Sequence, residues 1–219
     1  MKNYKFLFLI VISGFVLSCD DDDDPITCQS TVTDIDGNIY NVVRIGSQCW
    51  MKENLKTTKY QNGTPILTGL SNTDWQNTTS GAYAVYDNDT YGKLYNWHAV
   101  NDSRNICPEG WHVPTDAEWT TLIDELGGSA VAGGKMKATI LWQTPNAGAD
   151  NSSGFTALPA GSRSDAGAEN GVTSSGNFWT STAKDVNFAW YRDLYYDNAN
   201  ANKSNYNKTY GFSCRCIKD

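Results

Sequence analysis

Few residues in this chain have the type and spacing to do chemistry. There are two histidines, His98 and His112, and each directly follows a tryptophan. Neither sits in an HExxH or similar metal spacing, so packed structural roles are expected for both. No nucleophile elbow, phosphate loop or dinucleotide fingerprint is present. Glu118 invites a general-acid reading, but it lies three residues after Thr115, where it completes a capping box. Glycoside hydrolysis needs a carboxylate pair with no fixed spacing, and nothing nominates one. Asp87-Asn88-Asp89 could offer hard oxygens to calcium; a turn is the expected use. Cys214 and Cys216 stand two apart, so on a strand both side chains face one way. That could serve a C-x-C metal or redox site, or two disulfides to neighbouring elements. The disulfides are expected, because no histidine or further cysteine stands nearby. No catalytic residue, metal ligand or cofactor is assigned.

Recognition has a better candidate. The segment from Trp179 to Tyr210 is dense in aromatic and amide side chains. The expected binding set is Trp179, Trp190, Tyr191, Arg192, Tyr195, Asn198, Asn200, Asn202 and Tyr206. Rigid aromatic anchors beside adaptable polar groups are how binding surfaces are commonly built. Aromatic faces also suit sugar rings, so a protein or a glycan is the expected ligand.

The elements that position these residues can be read in part. Eight Trp and twelve Tyr, with abundant Gly, Asn, Ser and Thr, favour strands and long ordered loops over a helical bundle. Thr31 to Ile35 and Ile39 to Ile45 alternate around Asp36-Gly37-Asn38, which predicts a hairpin. Trp50 to Leu55 is expected to be the next strand, and Thr57 to Asn88 to be loop. A helix is predicted from Thr115. Its stripe is Trp119, Leu122, Ile123 and Leu126, and Gly127-Gly128 stops it. A shorter helix over Ser129 to Thr139 is weakened by Gly133-Gly134. After Phe155 short strands and loops are expected, ending in Tyr210 to Ile217.

The first residues predict export. Lys2 and Lys5 precede an apolar run from Phe6 to Leu17, too short to span a membrane, which takes roughly 18 to 20 residues. The run ends in Val16-Leu17-Ser18-Cys19, which resembles the bacterial lipobox. Residues 1–18 are therefore expected to be a lipoprotein signal peptide, and Cys19 the lipidated residue. Several acyl chains at roughly 0.8 kcal/mol per CH2 hold a protein firmly to a membrane. Asp20 to Asp24 repel one another and predict a solvated tether over residues 19–27. An acidic run just after the lipidated cysteine resembles the surface-export signals of Bacteroidetes lipoproteins. The expected location is the outer membrane, with the domain facing outward. Residues 28–219 form one domain. Losing Lys2 and Lys5 takes the formal charge from −7 to −9, which gives no attraction for nucleic acid.

Six strings carry a resemblance: TVTDIDGNIYNVVRIGSQCWMKENLKTTKY, YGKLYNWHAV, CPEGWHVPTDAEWTTL, SGFTALPAGSR, FWTST and GFSCRCIKD. In this order they resemble the Fibrobacter succinogenes major paralogous domain family over almost all of the mature chain. The resemblance implies an α+β, C-type-lectin-like fold. It would have two small twisted antiparallel sheets, two helices, long loops and paired chain ends. It also implies a disulfide between Cys107 and Cys216. Cys49 and Cys214 are then extra, and either one pairs with Cys28 or the two pair with each other. Five cysteines besides Cys19 leave one thiol over.

Fold alone does not give function. The calcium motifs of sugar-binding C-type lectins have no counterpart here: Thr144-Pro145-Asn146 is the nearest string, and Trp179 is followed by Thr180-Ser181. Sulfatase-modifying factors share similar strings and are oxidases with a cysteine pair. Cys214 and Cys216 do not match that arrangement, so no enzyme activity is expected. Some lectin-like proteins are targets of diversity-generating retroelements in a stretch before the last strand, rich in Asn, Tyr and Ser. Residues 179–210 have that place and composition, although an ordinary family loop is the expected reading. The expectation is a surface-displayed binding module. The alternatives are an oxidase related to sulfatase-modifying factors and a structural envelope or appendage component.

Overall fold

A computed structural model describes residues 27–85 and 89–219. The expected signal peptide, Cys19 and Asp20 to Asp24 lie outside the described residues, as do Asp87 and Asn88. The strands begin with β1 (Thr31–Thr33), β2 (Ile39–Ile45), β3 (Gln48–Met51), β4 (Tyr83–Ala84), β5 (Leu94–Asn96) and β6 (Trp111–His112). They continue with β7 (Ser162–Arg163), β8 (Glu169–Asn170), β9 (Ser175–Ala183) and β10 (Phe188–Tyr195). The last are β11 (Asn202–Asn207), β12 (Gly211–Phe212) and β13 (Ile217–Lys218). The α-helices are α1 (Asn72–Asn77), α2 (Trp97–Val100), α3 (Asp116–Glu125) and α4 (Ser129–Met136). The class is α+β, as expected, with three sheets rather than two and four helices rather than two among the described residues.

The first sheet has the order β1-β2-β3-β13-β6, which seats the last strand beside the N-terminal hairpin. The two ends of the described residues meet there, and Lys218 Nζ donates to Thr27 O at 3.4 Å. The second sheet is β11-β10-β9, and the third is β4-β5-β12-β7-β8. The predicted single run from Tyr210 to Ile217 is broken at 213–216, where the chain crosses from the third sheet to the first. Cys214, Arg215 and Cys216 on that crossing are all fully buried. Arg215 Nε donates to Asn54 Oδ1 at 2.8 Å, and its other nitrogens donate to Met51 O, Phe155 O and Thr156 O. Burial pulls its pKa down to about 9, so it remains charged at neutral pH.

The hairpin turns at Asp36-Gly37, with Gly37 at a φ of +87° that a side chain would resist. The next strand stops at Met51 rather than Leu55. Beyond it Asn54 turns in to meet Arg215, and Leu55 N–H donates to Cys214 O. Within the expected loop of 57–88 lie α1 and β4. Ser71 caps α1 by accepting from Asp74 N–H at 3.1 Å, and Trp75 buries its face.

Helix α3 forms as predicted. Thr115 Oγ1 accepts from Glu118 N–H, and Thr115 N–H donates to Glu118 Oε2 at 2.7 Å. Trp119, Leu122 and Ile123 are buried. Trp119 packs with Trp50, Phe155 and Phe178 in one core cluster. In α4 the glycine pair has a packing purpose. A methyl on Gly133 would collide with Asn200 O, and one on Gly134 with Gly148 O. The helix ends at Met136 rather than Thr139, because Lys137 turns extended and sends its chain inward.

Two disulfides join distant parts, Cys28 to Cys49 and Cys107 to Cys216. The second is the pairing implied by the resemblance. Cys214 is a free, buried thiol. The expectation of two disulfides at Cys214 and Cys216 therefore holds only for Cys216. Cys214 sits in the core while the other four described cysteines are paired with one another, and burial pushes its pKa far up. Among the described residues no helix is long and apolar enough to cross a membrane.

Candidate aromatic binding cleft

The second sheet decides where the expected binding residues go. Side chains alternate along a strand, and directly paired residues share a face. Tyr191 pairs with Trp179 and Ser204, Asp193 with Asn177 and Asn202, and Tyr195 with Ser175. Ala189 pairs with Tyr206. These residues form one face. Trp190 and Arg192 belong to the other.

On the first face lies a cleft of about 270 Å³. Tyr191, Tyr195, Tyr206, Tyr210 and Phe212 supply its aromatic walls; Ser162, Asn170, Ser175 and Asn177 supply polar groups. Tyr191 lies against Phe212, with ring centres 4.6 Å apart. Tyr206 packs on Tyr210 at 3.9 Å, and their hydroxyls are 3.2 Å apart. Tyr195 and Tyr206 are 39% and 40% exposed, so each keeps a ring surface free. Trp179 is fully buried beneath them. Its indole N–H donates to Tyr95 O at 2.8 Å, and its ring packs on Phe212. It supports the wall and presents nothing to a ligand, contrary to its place in the expected binding set.

Asp193 lies buried on the same face. Asn202 Nδ2 donates to its Oδ1 at 2.7 Å. Burial raises its pKa from the ordinary aspartate value, and the contacts from Asn202, Tyr191 and Arg192 offset this in part. Asn202 is thus held as a buttress to Asp193.

The opposite face packs toward α3. Arg192 is buried and donates from Nη2 to Asp116 Oδ1 at 2.7 Å and to Thr120 Oγ1 at 2.9 Å. Its place in the expected binding set is also corrected: it ties β10 to α3. Lys203 Nζ meets the other Asp116 oxygen at 2.6 Å and lies 4.2 Å from the Trp190 ring centre. Trp190 is half-buried under that lysine, on the side away from the cleft.

Asn198 and Asn200 form the turn between β10 and β11. Asn198 Oδ1 accepts from Asn200 N–H at 2.9 Å, and Asn198 Nδ2 donates to Asp197. Buried Lys137 fixes this turn from below. Its ammonium donates to Ala147 O, Tyr195 O and Asn198 O. Gly134 N–H adds a bond to Ala199 O.

The expected set therefore divides. Tyr191, Tyr195 and Tyr206 meet at the cleft with Asn202 and Trp179 behind them, Trp190 and Arg192 face away, and Asn198 and Asn200 lie in the turn. Sequence reasoning missed Ser162, Asn170, Ser175, Asn177, Tyr210 and Phe212. A period-two reading of Phe188 to Tyr195 would have separated Trp190 from Tyr191. No local signal could have brought in Ser162 or Asn170.

The histidines lie elsewhere. His98 is half-buried between two surface grooves, and burial followed by the charge of Lys208 lowers its pKa. His112 bridges Asp219 Oδ1 at 2.6 Å and Glu118 Oε1 at 2.9 Å. Among the described residues no three His, Cys, Asp or Glu side chains are grouped to hold a metal ion.

No curated protein and no solved structure matches the chain. The sequence profile described as the Fibrobacter succinogenes major domain matches residues 43–218, from β2 to the last strand. The chain belongs to the Fibrobacter succinogenes major domain family.

Proposed function

We propose that this protein is a non-enzymatic binding module, displayed on the cell surface by a lipid anchor at Cys19, whose aromatic cleft receives a protein or glycan. The observation that supports it most is the pair of half-exposed rings, Tyr195 and Tyr206, standing over a shaped cleft rather than buried in the core. Exposed aromatic anchors in a concave site are a common mark of recognition. The anchor, the outer-membrane location and the C-type-lectin-like character rest on the sequence resemblances. A retroelement history for 179–210 would concern Tyr191, Tyr195 and Tyr206 in this cleft; a neighbouring reverse-transcriptase gene with a near-copy of the 3′ coding region would support it. An oxidase reading is less favoured, because Cys216 is bonded to Cys107 and Cys214 is buried.

The test is capture from the surface of the native host by the full chain and its variants. Tyr195→Ala and Tyr206→Ala should each weaken capture of the same ligand by about tenfold, the effect of removing an aromatic hot spot. Trp190→Ala should capture it normally. Equal capture by all three variants would sink the assignment of the cleft.

A further inference from the structure

The chemistry of the cleft narrows its ligand. None of the side chains lining it is charged. Asn177 on its wall is only 6% exposed. Its Nδ2 is committed, donating to Gly161 O at 2.9 Å and Ser175 Oγ at 3.2 Å. Among the described residues no donor meets its Oδ1, so that acceptor is what the amide offers to the cleft. In the open cleft water can serve that acceptor, and a ligand that displaces the water must donate to it or leave it unpaired at a cost.

We propose that the cleft binds a neutral saccharide, with a sugar ring lying on Tyr206 and a hydroxyl donating to Asn177 Oδ1. This rests on the reading of the cleft as the binding site. A sugar ring is suited because it has a C–H face for an aromatic ring and O–H donors around its edge. An apolar ligand would cover Asn177 Oδ1 without pairing it. An anionic ligand would find no cation on the wall. It would also approach buried Asp193 in a chain of net charge −7. An extended peptide that binds by strand addition needs a free sheet edge, and the floor here is the face of a sheet whose central strand β10 is paired on both sides. The volume of about 270 Å³ falls just below the usual range for drug-sized ligands, which starts at about 300 Å³, and suits one or two rings.

The full-length protein in detergent micelles should be applied in parallel to an array of neutral and acidic glycans and to a peptide array. Binding to neutral glycans is expected, and calorimetry with one such glycan should show a loss of about tenfold or more in Tyr206→Ala. Tyr206→Phe should keep most of the affinity, because the ring remains. Circular dichroism of both variants checks that they fold. Binding confined to peptides or acidic glycans, and lost in Tyr206→Ala, would overturn the saccharide class while leaving the cleft as a binding site. Neutral-glycan binding unchanged in Tyr206→Ala would overturn this placement. Binding to neither array would overturn both readings.

Discussion

Arg215 is a full charge, and among the described residues no carboxylate is hydrogen-bonded to it. Its stabilisation comes from carbonyl dipoles, the Asn54 amide and the Phe155 face, 4.5 Å away. A lysine could not reproduce this, because its three donors sit on one nitrogen, whereas Arg215 reaches four acceptors from three nitrogens spread over a plane. Arg215→Ala would leave the carbonyls of Met51, Phe155 and Thr156 without this donor inside the protein. The expected loss is on the order of 3–5 kcal/mol, read from urea denaturation; a loss under 1 kcal/mol, the scale of a surface contact, would contradict the account. His112 carries a different prediction. Burial opposes its cation, but bonds to Asp219 and Glu118 outweigh it and raise the pKa above 6.5. A folded pKa above the unfolded one contributes stability that is complete below pH 6.5 and is lost as pH rises through the folded value. Urea midpoints measured between about pH 6 and 9 should therefore fall more steeply for the native protein than for His112→Gln. Parallel curves would show that the bridge contributes nothing.

At the scale of elements, what could be read from sequence depended on how local its cause was. Helix α3 was legible because Thr115, Glu118 and the stripe through Trp119 all lie within a few turns. Helix α1 was missed although Ser71 and Asp74 carried a weaker version of the same signal. The end of β3 at Met51 could not be read, because Arg215, far along the chain, draws Asn54 out of line. The cleft was half legible. Its tyrosines stood out by composition, but the wall formed by Tyr210 and Phe212 depends on the crossing from one sheet to another. Gly133 is the clearest conflict between local and tertiary demands. Alanine is favoured over glycine inside a helix by about 1 kcal/mol, so propensity alone predicts that Gly133→Ala stabilises. The packing against Asn200 O predicts the opposite, a destabilisation of about 1–3 kcal/mol. Thermal unfolding decides between them: a raised midpoint would mean that the turn below the cleft yields easily.

Across the whole molecule, the described residues are closed by their two ends. β13 lies between β3 and β6, and Cys107–Cys216 locks it across 109 residues. Loop-closure entropy for a span of that size is worth about 4–5 kcal/mol. Reducing the protein should lower its urea midpoint accordingly, and Cys107→Ala with Cys216→Ala should reproduce most of that loss. A double variant as stable as the parent would mean that the β13 pairings close the fold unaided. The second sheet carries the cleft on one face, and its other face, with Arg192 and Trp190, packs toward α3. Site-specific photo-crosslinking on living host cells tests this most directly, with a benzophenone side chain replacing Tyr206 in one protein and Trp190 in another. A ligand attached through position 206 and absent from position 190 is the predicted result; attachment through position 190 alone would contradict it.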